Sequence, residues 1–187
     1  MGRAAGIDRM EGGQATVETP ALRLPGLRVR PERGGDLPFL QRLYRSTRAA
    51  ELAATGWDEA MCRWFSAQQF EARSQDWDRR YPQATRLVLL RGADPVGRLY
   101  LDMAGPDWRV VDITFLPSAC GRGNGSALLL ELIRQAGAVG TGLALSVEPQ
   151  NHRALALYLR LGFVETGRDA ARLHLRHPGA SRCEKSE

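Results

Sequence analysis

Cysteine and histidine are scarce in this chain of 187 residues, with three of each. The cysteines, Cys62, Cys120 and Cys183, are far apart and form no C-x-x-C pair, which argues against a disulfide framework and against a zinc site. Neither His152 nor His174 has a partner at the spacing of metal ligands. We therefore expect no metal, and we expect a reducing, cytoplasmic compartment.

Long hydrophobic runs and concentrated charge are also missing. No apolar run approaches the roughly 20 residues needed to span a bilayer, so no membrane partner is expected. The net charge of +5 is modest, and the arginines are scattered along the chain. Because a nucleic-acid-binding protein needs a continuous basic stripe or a recognised module, we expect no nucleic-acid partner. The composition is that of an ordinary globular protein.

Composition divides the chain into one domain with two short ends. Residues 1–26 are rich in Gly, Ala, Thr and Pro and lack the apolar core of a signal peptide, so they are interpreted as a flexible leader. Residues 177–187 are polar and are interpreted as a flexible tail. A single domain is predicted over residues 27–176, and its length suffices for a full core.

Within that domain the hydrophobic pattern predicts short strands and amphipathic helices. A helix capped by Asp36 is expected after the first strand, and a second helix is expected over residues 57–76. Strands are expected at residues 27–30, 85–90, 96–103, 110–116, 143–147, 163–166 and 171–175. The second, third and fourth of these strands form an antiparallel meander.

A glycine-rich turn joins a strand to a helix past the middle of the chain. Residues 117–126 read PSACGRGNGS and lead into an apolar helix. Such a turn places free backbone N–H groups at the positive end of a helix dipole, which suits a phosphate group. Gly121, Gly123 and Gly125 let the chain approach an anion closely, and Arg122 adds charge. Alone, the pattern predicts either a phosphate-binding loop or only a tight turn.

The turn matches neither of two familiar nucleotide-binding motifs. Its glycine spacing is G-x-G-x-G, whereas a Rossmann fingerprint has G-x-G-x-x-G after the first strand of a βαβ unit. No lysine follows the glycines, as a P-loop requires. If the turn binds phosphate, the sequence therefore predicts a phosphorylated ligand held by neither a Rossmann motif nor a P-loop.

A second motif follows in residues 147–163, which read VEPQNHRALALYLRLGF. Asn151 can cap a helix that ends at Gly162. The pattern N-x-x-A-x-x-x-Y-x-x-x-G-F is met by Asn151, Ala154, Tyr158, Gly162 and Phe163. This pattern is the second motif of the GNAT superfamily of N-acetyltransferases, whose acetyl-CoA motif is Q/R-x-x-G-x-G/A. Gly123 and Gly125 fit that first motif, so the chain resembles the superfamily, with specific motifs over residues 85–168.

The resemblance implies an α/β (α+β mixed-sheet) fold of the GNAT-like acyl-CoA N-acyltransferase type. Its central sheet is mostly antiparallel, with helices on both faces. The middle strands, at residues 110–116 and 143–147, splay apart and admit CoA. Homodimers are common among relatives, so the resemblance is also compatible with a homodimer.

The resemblance further implies an N-acetyltransferase that uses acetyl-CoA as its cosubstrate. The acetyl group would pass to a primary amine of a small molecule or peptide by direct transfer in a ternary complex. Two alternatives stay open. One is a catalytically weak acyl-CoA-binding sensor or scaffold, and the other is a nucleotide-binding protein of unrelated fold.

Particular residues take roles by resemblance. Tyr158 would be the general acid that protonates the departing thiolate, and Asp112 would be the base that acts on the amine through water. Glu148 is a second candidate for the base. The implied cofactor-binding residues are Ile113, Thr114, Phe115, Leu116, Gly121, Arg122, Gly123, Asn124, Gly125, Ser126, Asn151 and Tyr158. Helix periodicity alone favours a core aromatic at Tyr158, and the alternative for Asp112 is a solvent-facing polar residue in an alternating strand.

Two departures from the superfamily pattern bear on function. Cys120 occupies the opening Q/R position, so we expect weaker or differently arranged cofactor binding, with Arg122 still supplying charge. Cys120 is either a small residue that fills space or a thiol activated by the helix dipole. Ser146 stands where relatives that acetylate protein N-termini often have a glutamate, which argues against that activity.

The acceptor site is expected to be built by residues 45–82. This region is aromatic, with Trp57, Trp64, Phe70 and Trp77 among its members, and it also carries several acids. The acids could attract a cationic amine. Alternatively, the aromatics form core or a dimer face, and the acids are surface residues.

Overall fold

The computed structural model describes residues 20–179 of the chain. Its strands are β1 (Arg28–Pro31), β2 (Thr85–Arg91), β3 (Asp94–Asp102), β4 (Trp108–Phe115), β5 (Leu143–Val147), β6 (Val164–Arg168) and β7 (Leu173–His177). They form one sheet in the order β1-β2-β3-β4-β5-β7-β6. Neighbours are antiparallel except β4 and β5, which are parallel. The mixed, mostly antiparallel sheet predicted from the resemblance is confirmed.

Helices cover both faces of this sheet. Within the described residues the α-helices are α1 (Leu37–Thr47), α2 (Ala49–Ala53), α3 (Glu59–Arg80), α4 (Asn124–Ala138) and α5 (His152–Arg160), and Gly34–Asp36 and Pro117–Ala119 form short 3₁₀ helices. Alternation along β2 explains the two layers, because successive side chains of a strand point to opposite faces. Leu87 and Leu89 are buried in the cluster that contains the α4 leucines, whereas Val88 and Leu90 are buried with α1 and α3.

The same alternation of side chains between the two faces of the sheet gives β5 and β7 one apolar face and one polar face. The buried members that pack on the α4 side are Leu143, Leu145, Val147, Leu173 and Leu175. Ser146 and His174 therefore point to the opposite face, which is the face that α1 and α3 cover beside them. A strip of polar side chains results on the α3 side of the sheet.

β4 contains a β-bulge at the point where the sheet opens. Leu101 pairs with Val110 and Tyr100 pairs with Asp112, so Val111 is an extra residue with no partner in β3. Pairing between β4 and β5 also stops at Val110, which is opposite Leu145. The rest of β4 has no partner strand on the β5 side. The predicted splaying of the two middle strands is thus confirmed.

The segment before β1 packs against α4. Leu24 and Leu27 are buried and form an isolated bridge, and the side-chain amide of Gln135 donates to the carbonyl of Ala21 at 3.0 Å. Residues 20–26, which the composition places in the leader, therefore contact the domain. Residues 1–19 of that predicted leader, and residues 180–187 of the predicted tail, lie outside the described residues.

Asp36 occupies the N-cap position of α1, as predicted, but its side chain makes no capping hydrogen bond to that helix. Its carboxylate accepts two hydrogen bonds from Arg30 of β1, each 2.7 Å long, and one from the backbone N–H of Arg33. A bidentate guanidinium is a charge-assisted partner and binds a carboxylate more strongly than the backbone amide of a helix end. The Arg30 hydrogen bonds accordingly hold the pKa of Asp36 below its usual value, although partial burial opposes the shift.

Candidate active site

Three cavities lie side by side where β4 and β5 separate. The glycine-loop cleft, of about 550 Å³, runs between the turn before α4 and one side of α5. The central cavity, of about 240 Å³, lies between the ends of β4 and β5 and the helix α1. The arginine groove, of about 640 Å³, lies between α3 and the polar face of β4, β5 and β7. Shared lining residues connect each cavity to the next.

The glycine-loop cleft has the backbone geometry of an anion site. Gly121 and Gly123 have φ angles of 74° and 78°, a left-handed conformation that disfavours any residue with a Cβ. α4 begins at Asn124, and its first backbone hydrogen bond runs from the N–H of Ala127 to Gly123, at 2.9 Å. The preceding amides have no helical acceptor, and the first turn of α4 carries no acidic residue. Those amides are free to bind phosphate oxygens.

Most of the residues implied for the cofactor line this cleft. They are Ile113, Phe115, Gly121, Gly123, Asn124, Gly125, Ser126, Asn151 and Tyr158. Thr114 lines the central cavity instead, and Leu116 packs against the cluster of α1 and α3. Arg122 is exposed and does not belong to the lining.

Positive charge in the cleft comes from α5, which the sequence analysis missed. Arg153 and Arg160 both line the cleft. They are seven residues apart, which places them on one face of a helix. This spacing is the feature of the sequence from which their shared position could have been predicted. The guanidinium of Arg153 would lie 3.5 Å from a Cβ built on Gly121. Arg153 can therefore supply the charge near the loop that was assigned to Arg122.

Cys120 lies at the rim of the same cleft. Its thiol is exposed, and Sγ is 3.8 Å from the carbonyl oxygen of Phe115. The positively charged side chain beside the loop is that of Arg153 in α5.

Tyr158 stands at the junction of the glycine-loop cleft and the central cavity. It lines both, and its ring packs on Phe163 with centroids 5.7 Å apart. The side chain is 8% exposed. Burial, together with the negative charge of Asp112, raises the pKa of the Tyr158 phenol to about 12. The phenol is therefore held in its protonated form at neutral pH.

Asp112 lines the central cavity next to Tyr158. Its Oδ2 accepts hydrogen bonds from Nε of Arg98 at 2.6 Å and from the hydroxyl of Thr114 at 3.0 Å. Both bonds end on the same oxygen, which leaves Oδ1 available to a molecule in the cavity. The solvent-facing alternative is not what the structure shows, because the Asp112 side chain is only 16% exposed.

Arg98 is the buried partner that fixes Asp112. Its side chain is 2% exposed, and its Nη1 is buried without a hydrogen-bond partner in the described part of the chain. Three rings surround the guanidinium, with centroids at 5.0–5.5 Å, and they belong to Phe70, Trp77 and Tyr100. Burial alone would lower the pKa of Arg98, but the charge and hydrogen bond of Asp112 outweigh it and raise that pKa.

A chain of hydrogen bonds crosses the polar face of β4, β5 and β7. Arg109 donates from Nη1 to the hydroxyl oxygen of Ser146 at 3.3 Å. Ser146 lies 2.9 Å from Nδ1 of His174, and Nε2 of His174 lies 3.1 Å from Asp169. Because the guanidinium can only donate, the chain is satisfied when Ser146 donates to His174 and His174 donates to Asp169. The chain fixes Arg109 on the wall of the arginine groove.

The region predicted to build the acceptor site divides into two parts. Phe70 and Trp77 are buried in the core, as the alternative interpretation held, although Trp77 also lines the arginine groove. Trp57 and Trp64 are 44% and 61% exposed and lie away from the three cavities. The groove residues that the sequence analysis missed here are three arginines, Arg48, Arg73 and Arg80.

Two further features concern membranes and metals. No helix among residues 20–179 is both long and apolar enough to cross a membrane. In the same residues, no three His, Cys, Asp or Glu side chains are grouped in a way that could hold a metal ion.

Comparisons with known proteins agree with this geometry. A family model described as the acetyltransferase (GNAT) family matches residues 51–163, more than half of the chain. No curated protein sequence is significantly similar to the chain. One similar solved structure is the PaiA N-acetyltransferase from Thermoplasma acidophilum in complex with coenzyme A, with 16% identity, a TM-score of 0.61, and coverage of 81% of this chain and 98% of that chain. Another is an acetyltransferase from Thermus thermophilus, with 22% identity, a TM-score of 0.59, and coverage of 81% and 96%.

Proposed function

Because the chain belongs to the acetyltransferase (GNAT) family, we propose that it transfers an acetyl group from acetyl-CoA to a primary amine. The observation that carries the proposal is the position of Tyr158, a buried and protonated phenol between the glycine-loop cleft and the central cavity. The glycine-loop cleft on one side of Tyr158 suits a phosphorylated thioester, and the central cavity on the other side suits the amine that accepts the acetyl group. Transfer is direct, within one ternary complex.

The glycine-loop cleft fits the CoA portion of the donor. Free amides at the start of α4 suit the pyrophosphate, and Arg153 and Arg160 supply charge beside it. The part of β4 that follows the bulge offers unpaired backbone groups along the splayed edge, and these can pair with the pantetheine amides. Asn151 caps α5 by accepting from the N–H of Ala154 at 3.2 Å and also lines the cleft, so both roles given to it are compatible.

Acetyl-CoA supplies an activated acyl group whose C–S bond breaks as the new C–N bond forms. The neutral amine attacks the carbonyl carbon from the central cavity and loses one proton. Tyr158 donates its phenolic proton to the departing sulfur, so that the thiol leaves without a negative charge. The proton released by the amine and the proton gained by the thiol balance, and Tyr158 is reprotonated from solvent.

Asp112 is the proposed acceptor of the amine proton. Its free Oδ1 can receive that proton through a water molecule, while Arg98 and Thr114 hold Oδ2 in place. Glu148 is the second candidate. Its side chain is 53% exposed at the mouth of the central cavity, and Arg172 is 3.9 Å away.

The experiment that tests this proposal is release of free CoA thiol with a panel of primary amines. The panel contains monoamines, diamines, amino acids and short peptides at a fixed, saturating concentration of acetyl-CoA. At least one amine should give steady turnover, with the N-acetylated product identified by mass spectrometry. Steady thiol release without an acetylated amine would indicate hydrolysis and would contradict the proposal.

Tyr158→Phe is the matched variant, because it keeps the ring that packs on Phe163 and removes only the hydroxyl. We expect turnover to fall by about 10²-fold or more, as for loss of a general acid, while acetyl-CoA affinity changes little. The loss should shrink for an activated acyl donor with a less basic leaving thiol. Equal turnover in wild type and variant would exclude the general-acid role. Binding of acetyl-CoA without turnover of any amine would favour a sensor or scaffold.

A further inference from the structure

The arginine groove carries an excess of positive charge that the transfer step does not use. Its lining contains five arginines, Arg48, Arg73, Arg80, Arg109 and Arg172, but only two carboxylates, Asp76 and Asp169. The groove shares Arg48, Arg73 and Arg172 with the central cavity, where the amine is proposed to react. An acceptor that reaches Tyr158 from this side therefore passes a strongly basic wall.

Three of these arginines already have a carboxylate partner. Arg48 lies 3.3 Å from Glu51, and Arg172 lies 3.9 Å from Glu148. Arg80 lies 3.1 Å from Asp76 within α3. The other groove carboxylate, Asp169, is taken by His174 and two backbone amides. The acids of the groove are thus occupied.

Arg73 and Arg109 are different, since no carboxylate among residues 20–179 pairs with either of them. The guanidinium carbon of Arg73 lies 5.2 Å from the centroid of the Trp77 ring, which holds it against the wall. Arg109 uses one N–H on Ser146 and is held by the hydrogen-bond chain through His174. Each guanidinium has five N–H donors, so both retain unused donors on the groove.

We propose that the arginine groove binds an anionic group on the acceptor, a carboxylate or a phosphate ester. The acceptor is then a bifunctional molecule, with a primary amine near Tyr158 and an anionic group between Arg73 and Arg109. Planar guanidinium groups match both kinds of anion through paired, charge-assisted hydrogen bonds. This inference rests on the proposed function and narrows its substrate class. It also reverses the expectation that acids in residues 45–82 attract a cationic amine.

The test compares acceptors that differ only in the distant group. For chains of two to six carbons, kcat/KM is measured for the ω-amino carboxylate, the aminoalkyl phosphate, the amino alcohol and the diamine. The best anionic acceptor should exceed the amino alcohol of equal length by about tenfold or more. The ratio of the carboxylate to the phosphate series identifies which anion the groove prefers. Equal values for the anionic and neutral acceptors, or preference for the diamine, would overturn the proposal.

Two variants locate the effect. Arg73→Gln and Arg109→Gln should each lower kcat/KM for the anionic acceptor by about tenfold, mainly through KM, and should lower kcat/KM for the amino alcohol much less. Arg63→Gln is the control, because Arg63 lies on the same helix, is 59% exposed and lines none of the three cavities. A similar loss with both kinds of acceptor, or the same loss in Arg63→Gln, would contradict a specific anion site.

A binding measurement separates this inference from the proposed function. Glutarate and propyl phosphate, which have no amine, are titrated by calorimetry into the protein saturated with CoA. Saturable binding that Arg73→Gln and Arg109→Gln weaken would support the groove even if no amine were acetylated. Absence of binding by both anions, at low salt, would reject the groove even if an amine were acetylated.

Discussion

Removing the carboxylate of Asp112 should destabilise the fold much more than a surface substitution does. The guanidinium that Asp112 neutralises is 2% exposed, and one of its nitrogens already has no hydrogen-bond partner among residues 20–179. Breaking a buried ion pair from one side leaves an uncompensated charge, which costs about 3–5 kcal/mol. Asp112→Ala should therefore lose a large part of the roughly 5–15 kcal/mol that stabilises a typical domain.

Removing the buried positive charge as well should restore stability. Three aromatic rings surround the guanidinium of Arg98, so an apolar side chain can replace it there. Arg98→Met combined with Asp112→Ala should be more stable than Asp112→Ala alone, since no buried charge remains. Asp112→Asn, which keeps the shape of the side chain, should lose less stability than Asp112→Ala.

The assay is urea unfolding followed by circular dichroism. It is applied to the wild type, to the single variants Asp112→Ala and Arg98→Met, and to the double variant. The coupling free energy from this cycle should favour the double variant by more than about 1 kcal/mol. Destabilisation of less than about 1 kcal/mol in Asp112→Ala, or simple additivity in the double variant, would refute the buried-pair argument. In that case, lost turnover in Asp112→Asn would point to a role in proton transfer alone.

Three further predictions concern the scaffold around the site. Asn151→Ala should lower stability by about 1 kcal/mol, because α5 loses its side-chain cap, and the shift is measured as a lower melting temperature. Gly97→Ala should destabilise by about 1–3 kcal/mol in denaturant, since its Cβ would lie 2.7 Å from the Phe115 ring and could not be accommodated without a shift. The hydrogen bonds that Glu131 accepts from Arg134 hold its pKa at about 2, below the ordinary 4.5. That carboxylate therefore stabilises the fold above about pH 4.5 and loses this effect as the pH falls toward 2, so Glu131→Gln should flatten the acid side of the stability profile.

Local sequence patterns predicted the elements that hold the donor cleft. The strand Leu143–Val147 has the predicted bounds, and Asn151 caps α5 as expected. Both depend on contacts between near neighbours in sequence, so the alternation of apolar residues and the cap residue suffice to predict them. The glycine turn was predictable for the same reason, because Gly121 and Gly123 adopt the backbone conformation that only glycine tolerates well.

Contacts between one element and another were not predictable in this way. Asp36 makes no side-chain cap on α1 because its carboxylate is bound by Arg30 of β1 and by the backbone N–H of Arg33. The pairing of Arg98 with Asp112 depends on the register of β3 against β4 and on the bulge that turns Asp112 toward the α3 face. Periodicity within one segment contains no information about that register.

The arginine groove was even less predictable from local sequence patterns. The arginine groove assembles residues of α1, α3, β4 and the β7 region, and no single segment displays the resulting excess of arginine. The acids of residues 45–82 were predicted to attract a cationic amine, but in the groove Asp76 is paired with Arg80. Only the spatial pairing distinguishes Arg73 and Arg109 from their partnered neighbours.

The proposed transfer reaction depends on the binding of acetyl-CoA in the glycine-loop cleft, and calorimetric titration tests this binding most directly. Wild-type protein is titrated with acetyl-CoA, CoA and ATP, and so is Gly123→Ala, in which a Cβ is forced into a left-handed conformation at a φ of 78°. We expect saturable binding of acetyl-CoA and CoA, at least about tenfold tighter than ATP and weaker in the variant. No binding of acetyl-CoA, or equal binding of ATP, would contradict the assignment of this cleft and the transfer reaction built on it.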